Sequence, residues 1–231
     1  MRIIDQSWRG AVLRHELFAA RHGAPCVILL PTVMGVSDLE RGFAARLVGE
    51  GYTAVVADMF GRRFAPGERE AAMAAMQGLR ADRGALREQL VAVFEELRGY
   101  DEINPAKVAA VGFCFGGQCA LDLARAGVQV TGIASFHGLF DPPGLPPQPI
   151  AAKVAAYHGW DDPLVTPEAV VALGHELTAA GCDWQIHAYG NTGHGFTNPG
   201  ATGAMPGIKF DEQAARRAWR SCDDFLRECF E

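Results

Sequence analysis

The 231-residue chain has no apolar run near the roughly 18–20 residues that a membrane-spanning helix requires, and its opening MRIIDQSWRG has no signal-peptide core. No membrane partner is expected, and a cytoplasmic location is. Blocks of basic charge are missing too. The net charge is −6, and the one dense basic pair, Arg62 and Arg63, is too short to track a phosphate backbone, which argues against nucleic acid. The six cysteines (Cys26, Cys114, Cys119, Cys182, Cys222, Cys229) form no C-x-x-C pair and no regular spacing. Neither a metal site nor a disulfide framework is indicated. Serine is scarce: Ser7, Ser37, Ser135 and Ser221 are the only four, and none lies in an elbow of the kind that displays a hydrolase nucleophile. There is no internal repeat, and the only low-complexity segment, DPPGLPPQP at 141–149, suits a stiff surface excursion or a rim over a site.

What is present is an alternation of apolar runs and helical patterns. PCVILLP is followed by DLERGFAARLVGEG, then YTAVVADMFG, a long helical stretch between Glu68 and Arg98, and KVAAVGF. This rhythm predicts a mostly parallel sheet with helices on both faces, a single α/β domain over residues 1–231. Asp38 is the candidate N-cap of the first helix and Gly51 its stop. The long stretch reads as two helices softened at Gly78 and Gly84, the second amphipathic through Leu86, Leu90, Val93 and Leu97. Beyond it come a helix at about 115–126, strands in VQVTGIASFHG, IAAKVAAYHG and DWQIHAYG, and a closing helix at about 210–230.

The segment GFCFG, from Gly112 to Gly116, has the G-x-nucleophile-x-G form with cysteine in place of serine, between an expected strand and an expected helix. Small residues on both sides let the backbone turn sharply and expose the side chain. A helix N-terminus at Cys114 favours a thiolate, and the Phe115 amide is one donor for an oxyanion. The glycines fit neither a dinucleotide fingerprint nor a phosphate loop. A cysteine nucleophile needs a histidine, and His194 in the loop NTGHGFTNPG follows a strand end. Five of the other six histidines read differently: His15 and His22 as surface residues, His175 within a helix, His187 within a strand, and His137 as a buried structural residue. An orienting carboxylate is expected from YHGWDDPLV, where the pattern leaves Asp161 and Asp162 equally open.

Taken together, PTVMGVSDLERGFAARLVGEGYTAVVADMFG, VGFCFGGQCALDLA, YHGWDDPLV and GNTGHGFTNP resemble the dienelactone hydrolase (carboxymethylenebutenolidase) family of the α/β-hydrolase fold, in order and spacing. The resemblance implies Cys114 as nucleophile, Asp162 and not Asp161 as the triad acid, His194 as the base, and the Val33 amide as the second oxyanion donor beside Phe115. It implies a cofactor-free hydrolase of small-molecule esters or lactones, working as a monomer or homodimer. Two positions depart from the family: Thr32 stands where a glutamate contacts the resting cysteine, and Asn198 where an arginine holds a substrate carboxylate. Arg62 is the candidate replacement for that charge, and Phe60, Phe115, Trp160 and Phe196 are candidate walls of an apolar acyl pocket. Two rival readings of the same residues are a non-catalytic ligand-binding protein of this fold and a thioesterase or peptidase on the same triad.

Overall fold

The computed structural model describes residues 1–231. Its first two strands, β1 (Arg2–Trp8) and β2 (Ala11–Phe18), form an antiparallel hairpin that the apolar-run reading did not anticipate. Their turn is Arg9–Gly10, both at positive φ (47° and 84°), the conformation whose twist matches a two-residue hairpin. The six expected strands follow as β3 (Cys26–Leu30), β4 (Thr53–Val56), β5 (Val108–Phe113), β6 (Gly132–Phe136), β7 (Lys153–Gly159) and β8 (Trp184–Tyr189). The sheet order is β1-β2-β4-β3-β5-β6-β7-β8, and every pairing from β4 onward is parallel. Every residue of β3 to β6 is buried, as strands covered on both faces require.

Alternate side chains of those strands enter two cores. One, which includes Cys26, Ile28 and Leu30, is covered by α2 (Arg69–Ala81), α3 (Arg83–Arg98), α4 (Phe115–Arg125) and α5 (Pro167–Ala179). The other, which includes Val27 and Leu29, is covered by α1 (Asp38–Gly49) and α6 (Glu212–Phe230). Leu86, Leu90, Val93 and Leu97 are all buried, so the amphipathic face of α3 is as expected. The break before it differs. Gly78 continues α2, and Asp82 separates the two helices by accepting the Ala85 N–H, an N-cap that stops one helix and starts the next. The N-cap of α1 is Ser37, one residue before Asp38, and Gly51 closes that helix at φ 94°. A short antiparallel pair, β9 (Thr202–Met205) and β10 (Ile208–Lys209), lies outside the main sheet. No helix is long and apolar enough to cross a membrane.

The proline-rich segment replaces the helix that usually crosses between parallel strands. It runs along α4: Asp141 accepts from Gln118, Arg80 and Arg83, and the prolines line a groove with Arg125 and Glu176. It is a surface excursion that begins beside Gln118 of α4 and continues past Arg125 toward α5.

His15, expected at the surface, is completely buried. Its Nδ1 accepts the Asp58 N–H (3.0 Å), so Nε2 carries the proton and donates to Gln6 Oε1 (3.0 Å). Asp58 in turn accepts from the amides of Phe60 and Gly61 and from Arg63, which fixes the loop after β4. Burial above all lowers the His15 pKa from 6.5 to about 4. A histidine with a depressed folded pKa contributes stability that is present above 6.5 and lost as pH falls through 4, here on the order of 3 kcal/mol. Urea unfolding at pH 7 and pH 4.5 should show this loss in the wild type and a smaller one in His15→Gln; equal losses would place the acid sensitivity elsewhere.

Candidate active site

Parallel β5 ends at Phe113, and the chain turns sharply into α4 at Cys114, which sits at φ 56° and ψ −115°. A non-glycine residue there carries on the order of 1–3 kcal/mol of strain. The turn is clamped by the Cys114 N–H donating to Phe136 O (3.0 Å) and by Cys114 O accepting the Gln118 N–H (3.2 Å). The flanking glycines are required by close approach. A Cβ on Gly112 would lie 1.9 Å from Gly116 O, and one on Gly116 would lie 2.0 Å from Leu30 O and 2.6 Å from Pro31 O. The backbone after β3 is therefore pressed against the first turn of α4. That contact holds the start of the loop that contains Val33 against the first turn of the helix that Cys114 opens. The Val33 N–H makes no hydrogen bond within the protein, and Phe115, as first residue of α4, has an N–H with no intrahelical acceptor.

His194 follows β8, and Asp162 follows β7. The Asp162 carboxylate accepts the proton of His194 Nδ1 at 2.7 Å through Oδ2 and the Leu164 N–H at 2.8 Å through Oδ1. Both residues are buried, whereas Asp161 is exposed. The geometry thus separates two aspartates that sequence pattern left equivalent. His194 Nε2 is buried without a hydrogen-bond partner, and Cys114 lies near enough to the ring to influence it. Burial works to lower the His194 pKa; the hydrogen bonds and charges of Asp162 and Cys114 outweigh it and raise the value to about 10.

The position of His194 depends on β9 and β10. Its N–H donates to Gly207 O (2.8 Å), and its carbonyl accepts the Lys209 N–H (3.1 Å) in a bridge to Ile208. Sequence reading missed this support, although Pro206–Gly207 is a turn signal that could have revealed it. Beside His194, the His137 ring packs edge-on at 5.1 Å, with Nε2 paired to Thr197 Oγ1 at 2.8 Å. Burial first, and the neighbouring His194 second, hold the His137 pKa well below its ordinary value, so this imidazole is neutral.

The remaining candidates are dispersed. Phe115 and Phe196 are fully buried, the latter packed between His137 and Tyr189. Phe60 is half-buried, with its ring 5.7 Å from that of Phe115. Trp160 is 42% exposed on the loop after β7. Arg62 is engaged by Glu68 at 2.8 Å and lies over the Phe64 ring. Asn198 turns its Oδ1 to the Gly200 N–H (2.8 Å), a local turn. The Thr32 hydroxyl donates to Glu40, a buried carboxylate that sequence reading did not single out.

A model of the dienelactone hydrolase family matches residues 16–230. The chain belongs to the dienelactone hydrolase family. The carboxymethylenebutenolidase of Pseudomonas putida is 27% identical over 193 residues, covering 80% of each chain. Among solved structures, m3DLH is 34% identical, covers 100% of this chain and 98% of its own, and superposes with a TM-score of 0.89. A dienelactone hydrolase-like promiscuous phosphotriesterase from metagenomic libraries is 31% identical, with the same coverage and a TM-score of 0.86. The topology is that of the α/β-hydrolase fold, as the sequence resemblance implied.

Proposed function

We propose that this member of the dienelactone hydrolase family hydrolyses small esters or lactones through an acyl-enzyme on Cys114, without a cofactor. The observation that carries the reading is the buried Asp162–His194 pair at 2.7 Å with Cys114 near the same imidazole. Asp162 holds the proton on Nδ1, which aims Nε2 at the nucleophile. His194 takes the thiol proton at Nε2, and the Cys114 sulfur attacks the carbonyl carbon. The carbonyl pair moves onto oxygen, which the Val33 and Phe115 amides receive. Collapse of that adduct breaks the C–O bond, and His194 returns its proton to the leaving alcohol; in a lactone this alcohol stays attached to the acyl group. Water then gives a proton to His194, attacks the thioester and releases the acid and the thiolate, which regains its proton.

Neither Asn198, which is neutral, nor its candidate replacement Arg62, which is engaged by Glu68, supplies a free fixed charge for a substrate carboxylate. Neutral substrates are therefore expected to be preferred. The test is hydrolysis of p-nitrophenyl esters and a neutral unsaturated lactone beside a carboxylate-bearing one, with intact-mass detection of the acylated protein. Turnover of the neutral substrates with an adduct on the Cys114 peptide is the expected result. A turnover that leaves Cys114 unmodified under rapid quench would sink the mechanism. The phosphotriesterase relative makes a neutral phosphotriester the second substrate class to include, with a phosphorus–sulfur adduct on Cys114 as its signature.

A further inference from the structure

The buried carboxylate of Glu40 is not part of the mechanism above, yet it is wired to the loop that the mechanism uses. Glu40 lies in the first turn of α1, wholly inaccessible to solvent. Its Oε1 accepts the N–H (3.1 Å) and the hydroxyl (3.0 Å) of Thr32, and its Oε2 accepts the N–H (3.2 Å) and the hydroxyl of Ser37. One carboxylate thus closes both ends of the segment 32–37. Within that segment, the Met34 N–H is directed to the Thr32 hydroxyl oxygen at 3.4 Å, and the Gly35 N–H to Thr32 O at 3.0 Å. Four consecutive amides are thereby sorted: Thr32, Met34 and Gly35 have acceptors, and Val33 has none.

We infer that Glu40 is a positioning residue, which selects the Val33 N–H as the loop's free donor and aims it at the oxyanion. The inference rests on the acyl-enzyme reading. An oxyanion donor acts only where it is fixed before charge develops, and a displacement of about 1 Å can cost on the order of 100-fold in rate. The charge of Glu40 is satisfied by four donors, so it holds the loop without leaving an unpaired anion beside the oxyanion. Thr32, at the family's glutamate position, does not carry a carboxylate to Cys114 and instead acts as a link between Glu40 and the amides on either side of Val33.

Glu40→Gln tests this with nearly unchanged volume. A carboxamide offers one acceptor oxygen and one donor NH₂, and the NH₂ must face either the Thr32 or the Ser37 amide. A hydroxyl can rotate to accept from it; a backbone N–H cannot. One end of the loop is released. Expected is a fall in kcat of roughly 10- to 100-fold with KM changed less than about threefold, and inhibition by a trifluoromethyl ketone, which forms a tetrahedral thiol adduct, weakened in proportion to kcat. Val33→Pro, which removes the N–H itself, should make Glu40→Gln nearly silent in the double variant. Equal loss of kcat in the two backgrounds would overturn the positioning role, and so would unchanged kcat in folded Glu40→Gln. If Glu40→Gln does not accumulate folded protein, Thr32→Val removes only the linking hydroxyl and should lower kcat about 3- to 10-fold; no change there overturns the inference. Cys114→Ala in the same assay separates the two failures: turnover that survives it overturns both the acyl-enzyme reading and the role of Glu40, whereas Cys114-dependent turnover indifferent to position 40 overturns the latter alone.

Discussion

Cys114→Ala is expected to lower ester turnover by roughly 10⁴-fold or more, because a nucleophile acting as one unit with its base leaves only binding and the oxyanion donors when it is removed. The fold should survive. Alanine at φ 56° bears the same backbone strain as cysteine, and the amide and carbonyl that clamp the turn are backbone groups. A second readout makes the result diagnostic. The raised pKa of His194, about 10, owes part of its rise to the hydrogen bond and charge of Cys114, so removing the thiol should move the imidazole titration downward. In the wild type, a histidine raised above 6.5 contributes stability that is complete below that pH and lost as pH climbs through about 10. The variant should lose it at lower pH. NMR titration of His194 beside the kinetics would check both, and an unshifted titration with retained turnover would place the nucleophile elsewhere.

Gly116→Ala should be, with Gly112→Ala, among the most damaging single methyl groups that can be added to the chain near the site. Its Cβ would meet Leu30 O at 2.0 Å, Leu30 C at 2.4 Å and Pro31 O at 2.6 Å, all backbone atoms that cannot rotate away. Relief requires the end of β3 and the first turn of α4 to separate. Overpacking of this kind costs typically 1–3 kcal/mol and at backbone contacts more, so a loss of about 3 kcal/mol, or roughly 6–12 °C in the melting midpoint, is expected. The same separation would carry the Val33 loop away from Cys114, so turnover should fall further than the melted fraction accounts for. Gly67→Ala, with nothing within 4 Å of its added methyl, is the control. A melting midpoint for Gly116→Ala equal to that of the control would show that the contact is looser than described.

Much of this architecture was legible because its physics is local. Strands buried on both faces must be continuously apolar, so β3 to β7 announce themselves, and a sharp strand-to-helix turn needs small neighbours, so Cys114 stands out in GFCFG. What was missed depends on distant partners. In RIIDQSW and AVLRHELF the apolar residues are interrupted by charge, since these strands are partly exposed. His15 reads as a surface residue because its partners, Gln6 and Asp58, lie 9 and 43 positions away. Glu40 reads as an ordinary acidic residue in the first turn of a helix, and only the fold of the loop before it encloses the carboxylate. Asp162 could not be told from Asp161 by pattern, because one residue's difference in a turn decides which carboxylate is buried.

The distribution of thiols gives the protein a built-in means of counting its own competent molecules. Burial pushes Cys182 up to about 11 and Cys229 up to about 12, and raises Cys26, Cys119 and Cys222 further. Those five stay protonated and slow toward electrophiles at neutral pH. Cys114, as open to solvent as Cys182 and Cys229 but set beside His194, is expected to be the first site taken by a soft alkylating reagent. The label incorporated per folded chain would then be a stoichiometric titration of working sites, one equivalent at most, in a preparation that has never met its substrate.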